Sequence, residues 1–252
     1  MTLFPDKPVI YSSIDTYPNL WFDHIAYCVA DPRTSFGMLR NELGLTWHLW
    51  EMNGQFGGVQ VTFPGGFKVE LIHPNSTDAD HFTNRFLARR GPGPHHLTFR
   101  TKDIRGMIER AKTLGIDLIQ ISLDNPNWME AFVHPKTAGG ILVQIAECPD
   151  EKESPIEPEW NDLVAAPPAR FVRVDLTSDD VSGAQRVFGD LLGGTVERED
   201  RDGAEFCWND DRRIRLVEGT TNAAELVVNE LNDLETSSNF TREMGGQLKV
   251  GV

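Results

Sequence analysis

The sequence predicts an α+β protein built from repeated β-α-β-β-β modules, two of which pair into one domain. Three observations carry this. The order of strand, helix and turn signals over residues 22–73 recurs over 95–147. Each copy places a histidine on its first strand and a polar side chain, Glu70 or Gln144, on its last. The opening pattern starts a third time at Phe171. An internal repeat is settled first, because it decides which positions are equivalent.

In the first module, residues 22–29 (FDHIAYCV) alternate as a strand does, with Phe22, His24, Ala26 and Cys28 on one face. Asp31-Pro32 opens a helix that runs to about Glu42 and stops near Gly44, a residue suited to a left-handed cap. Strands at about 45–52, 57–63 and 67–73 follow, separated by the turn residues Asn53-Gly54 and Pro64-Gly65-Gly66. Residues 78–90 then carry Phe82, Phe86 and Leu87 at helical spacing and connect the modules. The second module reads as a strand over 95–101 and a helix from Asp103 to near Gly115. Strands at about 117–122, 129–134 and 140–147 complete it, with Asp124-Asn125-Pro126-Asn127 and Gly139-Gly140 as turns. His24 and His96 are 96 − 24 = 72 residues apart, and Glu70 and Gln144 are 144 − 70 = 74 apart.

Four segments result. Residues 1–20 hold three prolines and no period, and read as an arm. Residues 21–148 are the paired-module domain, and 149–168, rich in Pro and acid, are a linker. Residues 169–252 are a degenerate second pair, in which Phe171 aligns with Phe22, Asp180 with Asp31, and Leu192-Gly193 with Leu43-Gly44. Arg173 stands there in the place of His24 and Glu225 near that of His96, so this half is expected to be metal-free, with a charge pair replacing the ion. Its fourth unit starts at about 225 and is truncated.

Composition excludes several functions. A net charge of −14 over 252 residues opposes nonspecific binding to nucleic acid or to an anionic membrane. Arg85, Arg89, Arg90 and Arg100 lie close together and read as a solvated helix face, with an anion pocket as the alternative. No apolar run approaches the roughly 20 residues of a membrane helix, and no signal-peptide pattern opens the chain. Cys28, Cys148 and Cys207 are widely spaced with no CxxC, which argues against a disulfide framework and fits a reducing cytoplasm.

Histidine and carboxylate are ligands for Zn²⁺, Fe²⁺, Co²⁺, Ni²⁺ or Mn²⁺. Alternation puts His96, Thr98 and Arg100 on one strand face, and Lys68, Glu70 and Ile72 on one face of another. His73 and His134 precede Pro at strand ends and read as loop or substrate-contact residues. His48 and His81 read as surface residues, and Trp47, Trp50 and Trp128 as pocket walls.

The stretches FDHIAYCVAD, KVELIHP, GPGPHHLTFRTKDI and HPKTAGGILVQIAE make residues 21–148 resemble the vicinal oxygen chelate superfamily. Its members include glyoxalases, bleomycin resistance proteins and extradiol dioxygenases. The likeness is strongest to methylmalonyl-CoA epimerase-like proteins. The resemblance implies a cupped mixed sheet around one divalent metal, held by His24, Glu70, His96 and Gln144, with the second histidine of the His95-His96 pair facing the ion. It implies an enzyme acting on a small oxygen-bearing substrate through a metal-stabilised enolate-like intermediate, as an epimerase, isomerase or glyoxalase-like enzyme. Glu70, Gln60 and Gln144 fall at the chemistry, and Trp50, His73, Trp128, His134 and Lys136 at the substrate. A homodimer is common in the superfamily, although the second half can instead supply an internal partner.

Two departures bear on the reaction. The fourth ligand position usually carries Glu, and here it is Gln144. Gln60 stands near a position where some epimerases carry a second carboxylate. Epimerisation needs two groups that gain and lose protons, and an amide does neither. Glu147 is three residues past Gln144 and falls on the other strand face. Two histidines and one carboxylate are also the facial set of non-haem iron oxygenases, so an extradiol-type dioxygenase is the alternative. A non-catalytic small-ligand binder is a third reading, against which the intact ligand set speaks.

Overall fold

The signals that open and close the first helix of each of the two leading modules act as the sequence directs. A computed structural model describes residues 19–52, 56–148, 166–201, 203–208, 211–231 and 235–251. Strand β1 (Leu20–Cys28) leads to helix α1 (Pro32–Leu43), then to β2 (Thr46–Met52), β3 (Phe56–Thr62) and β4 (Lys68–Pro74). The Asp31 carboxylate accepts hydrogen bonds from the first free N–H groups of α1, those of Arg33 and Thr34. Gly44 ends the helix at φ 66°, where a Cβ would lie 2.4 Å from the Ala166 carbonyl oxygen. Helix α2 (Phe82–Arg90) joins this module to the next. That one comprises β5 (Gly93–Thr101), α3 (Ile104–Leu114), β6 (Leu118–Ser122), β7 (Met129–Val133) and β8 (Leu142–Glu147). Asp103 caps α3 through the Gly106 N–H, and Gly115 closes it at φ 67°. The repeat thus extends to the capping chemistry.

Eight strands form one mixed sheet in the order β2-β3-β4-β1-β5-β8-β7-β6. The order is a palindrome of modules. Each contributes its three later strands outward from its first, and the two first strands are neighbours. Strand β4 runs parallel to β1, with His24 opposite Lys68 and Ala26 opposite Glu70. This topology explains why residues on first and last strands can meet. Its cost is that β1 is central and buried on both faces from Phe22 to Cys28, rather than on one.

The remaining described residues repeat part of the arrangement. Strand β9 (Phe171–Ser178) is followed by α4 (Val181–Gln185), which passes into a π-helical turn over Arg186–Leu191. Then come β10 (Thr195–Asp200), β11 (Gly203–Trp208), β12 (Arg212–Glu218), β13 (Ala223–Val228), α5 (Thr236–Met244) and β14 (Gln247–Val250). The second mixed sheet has the order β10-β11-β12-β9-β13-β14, a full module followed by part of another. Glu225, expected to face Arg173, is bound by the Lys249 ammonium from the adjacent strand.

The chain divides into two compact units. One holds residues 19–22, 99–148 and 175–223, around an aromatic core in which Phe22 stacks on Phe99 at 4.9 Å and Trp208 meets Phe99 edge-on at 5.0 Å. The other holds residues 23–98, 166–174 and 224–251, where Phe67 stacks on Phe171 and Tyr27 meets Phe240 at 5.5 Å. The metal-ligand candidates His24, Glu70 and His96 all belong to this second unit.

Several side chains differ from their reading in sequence. Arg85, Arg89 and Arg90 lie exposed on α2, but Arg100 is buried on β5. Its guanidinium lies over the Trp21 ring and donates to the Cys148 carbonyl, so it belongs to no solvated helix face. Trp47 packs against Phe36. His81 is half-buried at the head of α2, with Nδ1 2.9 Å from the Thr83 hydroxyl, and His48 is half-buried as well. The three cysteines are free thiols, and no helix among the described residues is long and apolar enough to cross a membrane. The arm over 1–18, the Asn53-Gly54 turn and the linker over 149–165 lie outside the described residues.

Candidate metal centre

Three strands that are consecutive in the sheet supply the centre: β4 brings Glu70, β1 brings His24 and β5 brings His96. Glu70 Oε2 lies 3.3 Å from His24 Nε2 and 3.6 Å from His96 Nε2. One ligand atom from each residue lies within 4.8 Å of the other two. Ligands that share an ion, each about 2.0–2.2 Å from it, must converge this closely. The His24 and His96 rings are nearly edge-to-face, with centroids 5.9 Å apart. Both histidines are buried. The 3.3 Å approach of Glu70 lacks hydrogen-bond alignment, and His24 Nε2 has no hydrogen-bond partner among the described residues. An unpaired buried polar atom costs about 1–3 kcal/mol. Two imidazole nitrogens and one carboxylate oxygen that converge in this way are a donor set that fits a divalent metal.

Groups behind the ligands orient them. His24 Nδ1 lies 2.8 Å from Asp23 Oδ2, and Asp23 in turn accepts from Lys68 Nζ at 2.9 and 3.0 Å. Such a carboxylate contact on the far ring nitrogen sets which nitrogen of a ligating histidine is left for the metal. His96 Nδ1 lies 2.8 Å from His95 Nδ1, and the His95 ring packs on Phe82 and Phe86 of α2. On the other side of the carboxylate, Gln60 faces Glu70 across β3 and β4, and its Nε2 donates to Glu70 Oε1 at 3.4 Å. Because a carboxylate only accepts, the amide presents its NH₂ end to Oε1, and Oε2 remains turned to the histidines.

Electrostatics separate the two histidines. Burial opposes charge on His24, but Asp23 and Glu70 outweigh it and push the imidazole up to about 9. Burial, with His95 and His24 nearby, holds His96 well below its ordinary value, and burial takes His95 down to about 4. Asp23 is held far below the carboxylate range, since His24 and Lys68 overcome the effect of burial.

The sign of the pH dependence follows. At neutral pH, His24 carries a proton in the metal-free protein, and a cation must displace it. Affinity is therefore expected to rise about tenfold per pH unit on the approach to pH 9. The apparent Kd for Mn²⁺ between pH 6 and 8 checks this, with release of about one proton per ion at pH 7 in calorimetry across buffers. For the metal-free fold the same proton is stabilising below the ordinary histidine value, and that contribution is lost as pH rises through about 9.

The other residues singled out in the sequence divide between the units. Gln144, on β8, donates to Glu130 Oε2 at 2.7 Å, and the Trp128 indole N–H donates to the same oxygen at 2.9 Å. Glu130, on β7, was not legible as a site residue, because only the pairing of Phe132 with Gln144 brings it alongside. His73 is buried, with Nδ1 3.2 Å from the Pro74 carbonyl, and lies three residues beyond Glu70, on the alternate strand face. His134 is exposed and accepts from the Lys136 backbone N–H at 3.1 Å, with Lys136 also exposed. Trp50 pairs with Val59 through β2 and β3, and its side chain lies outside the described residues. Asp23 and Lys68 are the additions that the sequence reading lacked.

This fold with a histidine–glutamate–histidine centre defines a class. Residues 23–132 match the Glyoxalase/Bleomycin resistance protein/Dioxygenase superfamily. This segment is similar to that superfamily, and the match spans less than half of the chain. The uncharacterized protein YqjC of Bacillus subtilis is 27% identical over 128 residues, covering 50% of this chain and 90% of that protein. Among solved structures, methylmalonyl-CoA epimerase from Mycobacterium tuberculosis is 27% identical with a TM-score of 0.46, over 53% of this chain and 90% of that one. A mutant 4-hydroxymandelate synthase from Streptomyces coelicolor is 15% identical with a TM-score of 0.57, over 84% of this chain and 72% of that one. At that identity the likeness is one of fold, and it extends well beyond the segment 23–132.

Proposed function

We propose that this protein is a divalent-metal-dependent enzyme acting on a small substrate with neighbouring oxygens, by Lewis-acid chemistry of the epimerase, isomerase or glyoxalase type. The observation that supports it is the approach of His24 Nε2 and His96 Nε2 to one oxygen of Glu70, at 3.3 and 3.6 Å, in a buried setting. Held by His24, Glu70 and His96, the ion supplies Lewis acidity and orientation to a substrate oxygen. The chain's own groups do the rest. Asp23 holds the His24 ring, and Gln60 fixes which carboxylate oxygen faces the histidines. Gln60 is an amide and acts by orientation rather than by proton transfer.

The donor set itself favours a second reading. Two histidines and one carboxylate suit Fe²⁺ and oxygen chemistry, as in a ring-cleaving dioxygenase. Protein reconstituted separately with Co²⁺, Zn²⁺, Mn²⁺ and Fe²⁺ separates the two. Carbonyl compounds with an acidic α-C–H, acyl-CoA thioesters among them, are followed by NMR in deuterated solvent. Catechols are followed with an oxygen electrode. The expected result is α-proton exchange with solvent and no oxygen uptake, lost in His96→Ala. Oxygen uptake with Fe²⁺ alone and no exchange would replace the first reading by the second. Ligand binding with neither reaction would leave a binding protein.

A further inference from the structure

We propose that Lys68 is a positioning residue for the metal centre, acting through Asp23 to present His24 Nε2 to Glu70. The inference rests on the metal-binding reading above. Lys68, Asp23 and His24 are 7, 5 and 2% exposed, so the set is a buried ionic cluster. Burying a lysine and an aspartate costs several kcal/mol per ion, and well-packed apolar residues of similar volume are often as stable or more so. Val69 and Leu71, the neighbours on the other face of β4, are fully buried and supply its apolar contact.

The arrangement of the cluster indicates what it does. The Lys68 ammonium contacts both Asp23 oxygens, at 2.9 and 3.0 Å, and so restrains the carboxylate in two directions. Asp23 Oδ2 is then held 2.8 Å from His24 Nδ1. A carboxylate next to a histidine along a strand has freedom to rotate away, since adjacent side chains start on opposite faces. The parallel pairing of β1 with β4 removes that freedom, because it sets Lys68 directly opposite His24. An imidazole whose Nδ1–H is engaged by a fixed acceptor offers Nε2 to the metal. Lys68 thus reaches the metal centre through two intervening groups, and Glu70, two residues along the same strand, binds from the front.

Co²⁺ titration of the full chain tests this. Lys68→Met alone leaves Asp23 without its ammonium, so the informative variant is Lys68→Met with Asp23→Asn, which removes both charges together. Loss of the groups that hydrogen-bond a ligating histidine lowers metal affinity by about 10–100-fold. The double variant is expected to lose at least about tenfold in Co²⁺ affinity and to show altered visible bands, with its circular dichroism unchanged. Lys68→Arg keeps the cation and is expected to stay within about threefold of the wild type. Wild-type affinity and spectrum in the double variant would overturn the proposal, as would an equal loss in Lys68→Arg. Should the variants fail to fold, ¹⁵N NMR of the Zn²⁺-loaded wild type decides: a protonated Nδ1 and a metal-bound Nε2 on His24 are expected, and ligation through Nδ1 overturns it. A wild type that takes up neither metal removes the metal reading itself and this inference with it.

Discussion

Glu70→Ala is expected to weaken divalent-metal binding by roughly hundredfold, among the largest functional effects of a single change in this chain. The estimate follows from structural zinc sites, where about 10–16 kcal/mol is shared among four ligands, or about 3 kcal/mol each. Two features make Glu70 central to the cluster. Its Oε2 is the atom that both imidazole nitrogens approach. It is also the one anionic group of the triad, so its loss leaves two neutral donors facing a dication. His24→Ala and His96→Ala are expected to behave similarly, because each removes a nitrogen from the same cluster. The check is metal content after purification without chelator, followed by reconstitution. About one equivalent per chain is expected for the wild type, and little for any of the three variants. Full metal content in Glu70→Ala would rule Glu70 out as a ligand, and no uptake by the wild type would end the metal reading.

Phe22→Ala is expected to have the largest effect on stability, about 3–5 kcal/mol. Phe22 is fully buried, stacks on Phe99 at 4.9 Å and meets Trp208 at 6.1 Å. Its removal leaves a cavity between rings carried by β1, β5 and β11, and β-sheet backbones do not collapse to fill such a space. The Arg212 guanidinium also donates to the Phe22 carbonyl, so displacement of β1 strains a buried cation. Urea unfolding of the metal-free protein measures the loss as a lower midpoint. Saturating metal should restore part of it, because the ion binds the folded state only. A change below about 1 kcal/mol would show that the aromatic cluster repacks freely.

Much of the fold was legible before any coordinates. Asp31 and Gly44 bound α1, and Asp103 and Gly115 bound α3, because a cap acts on backbone groups within a few residues of it. The repeat placed His24 and His96 on first strands and Glu70 on a last strand, and the topology brings these three together. Gln60 was placed near the chemistry by resemblance, and the structure sets it against Glu70. The reading of the arginine run failed at Arg100 for a physical reason. Arg85, Arg89 and Arg90 share one helix, but Arg100 belongs to a central strand, and nearness in sequence does not survive the change of element.

The sequence by itself determined the modules, their caps and turns, and the equivalence of His24 with His96 and of Glu70 with Gln144, while the metal came from the family resemblance. These rest on local periodicity and on symmetry between copies, both of which are written along the chain. Only the tertiary structure decided the partners of those residues. Lys68 reaches Asp23 because β4 runs parallel to β1 in a particular register. Gln144 meets Glu130 because β7 pairs with β8, and Glu225 takes Lys249 because β14 adds beside β13. Each pairing joins residues separated by 14 to 45 positions. A strand carries the same alternation whichever neighbour it pairs with, and a slip of one residue exchanges every partner. The chemistry of the candidate ligands is therefore a property of the sequence, and the choice of the groups that contact them is a property of strand register.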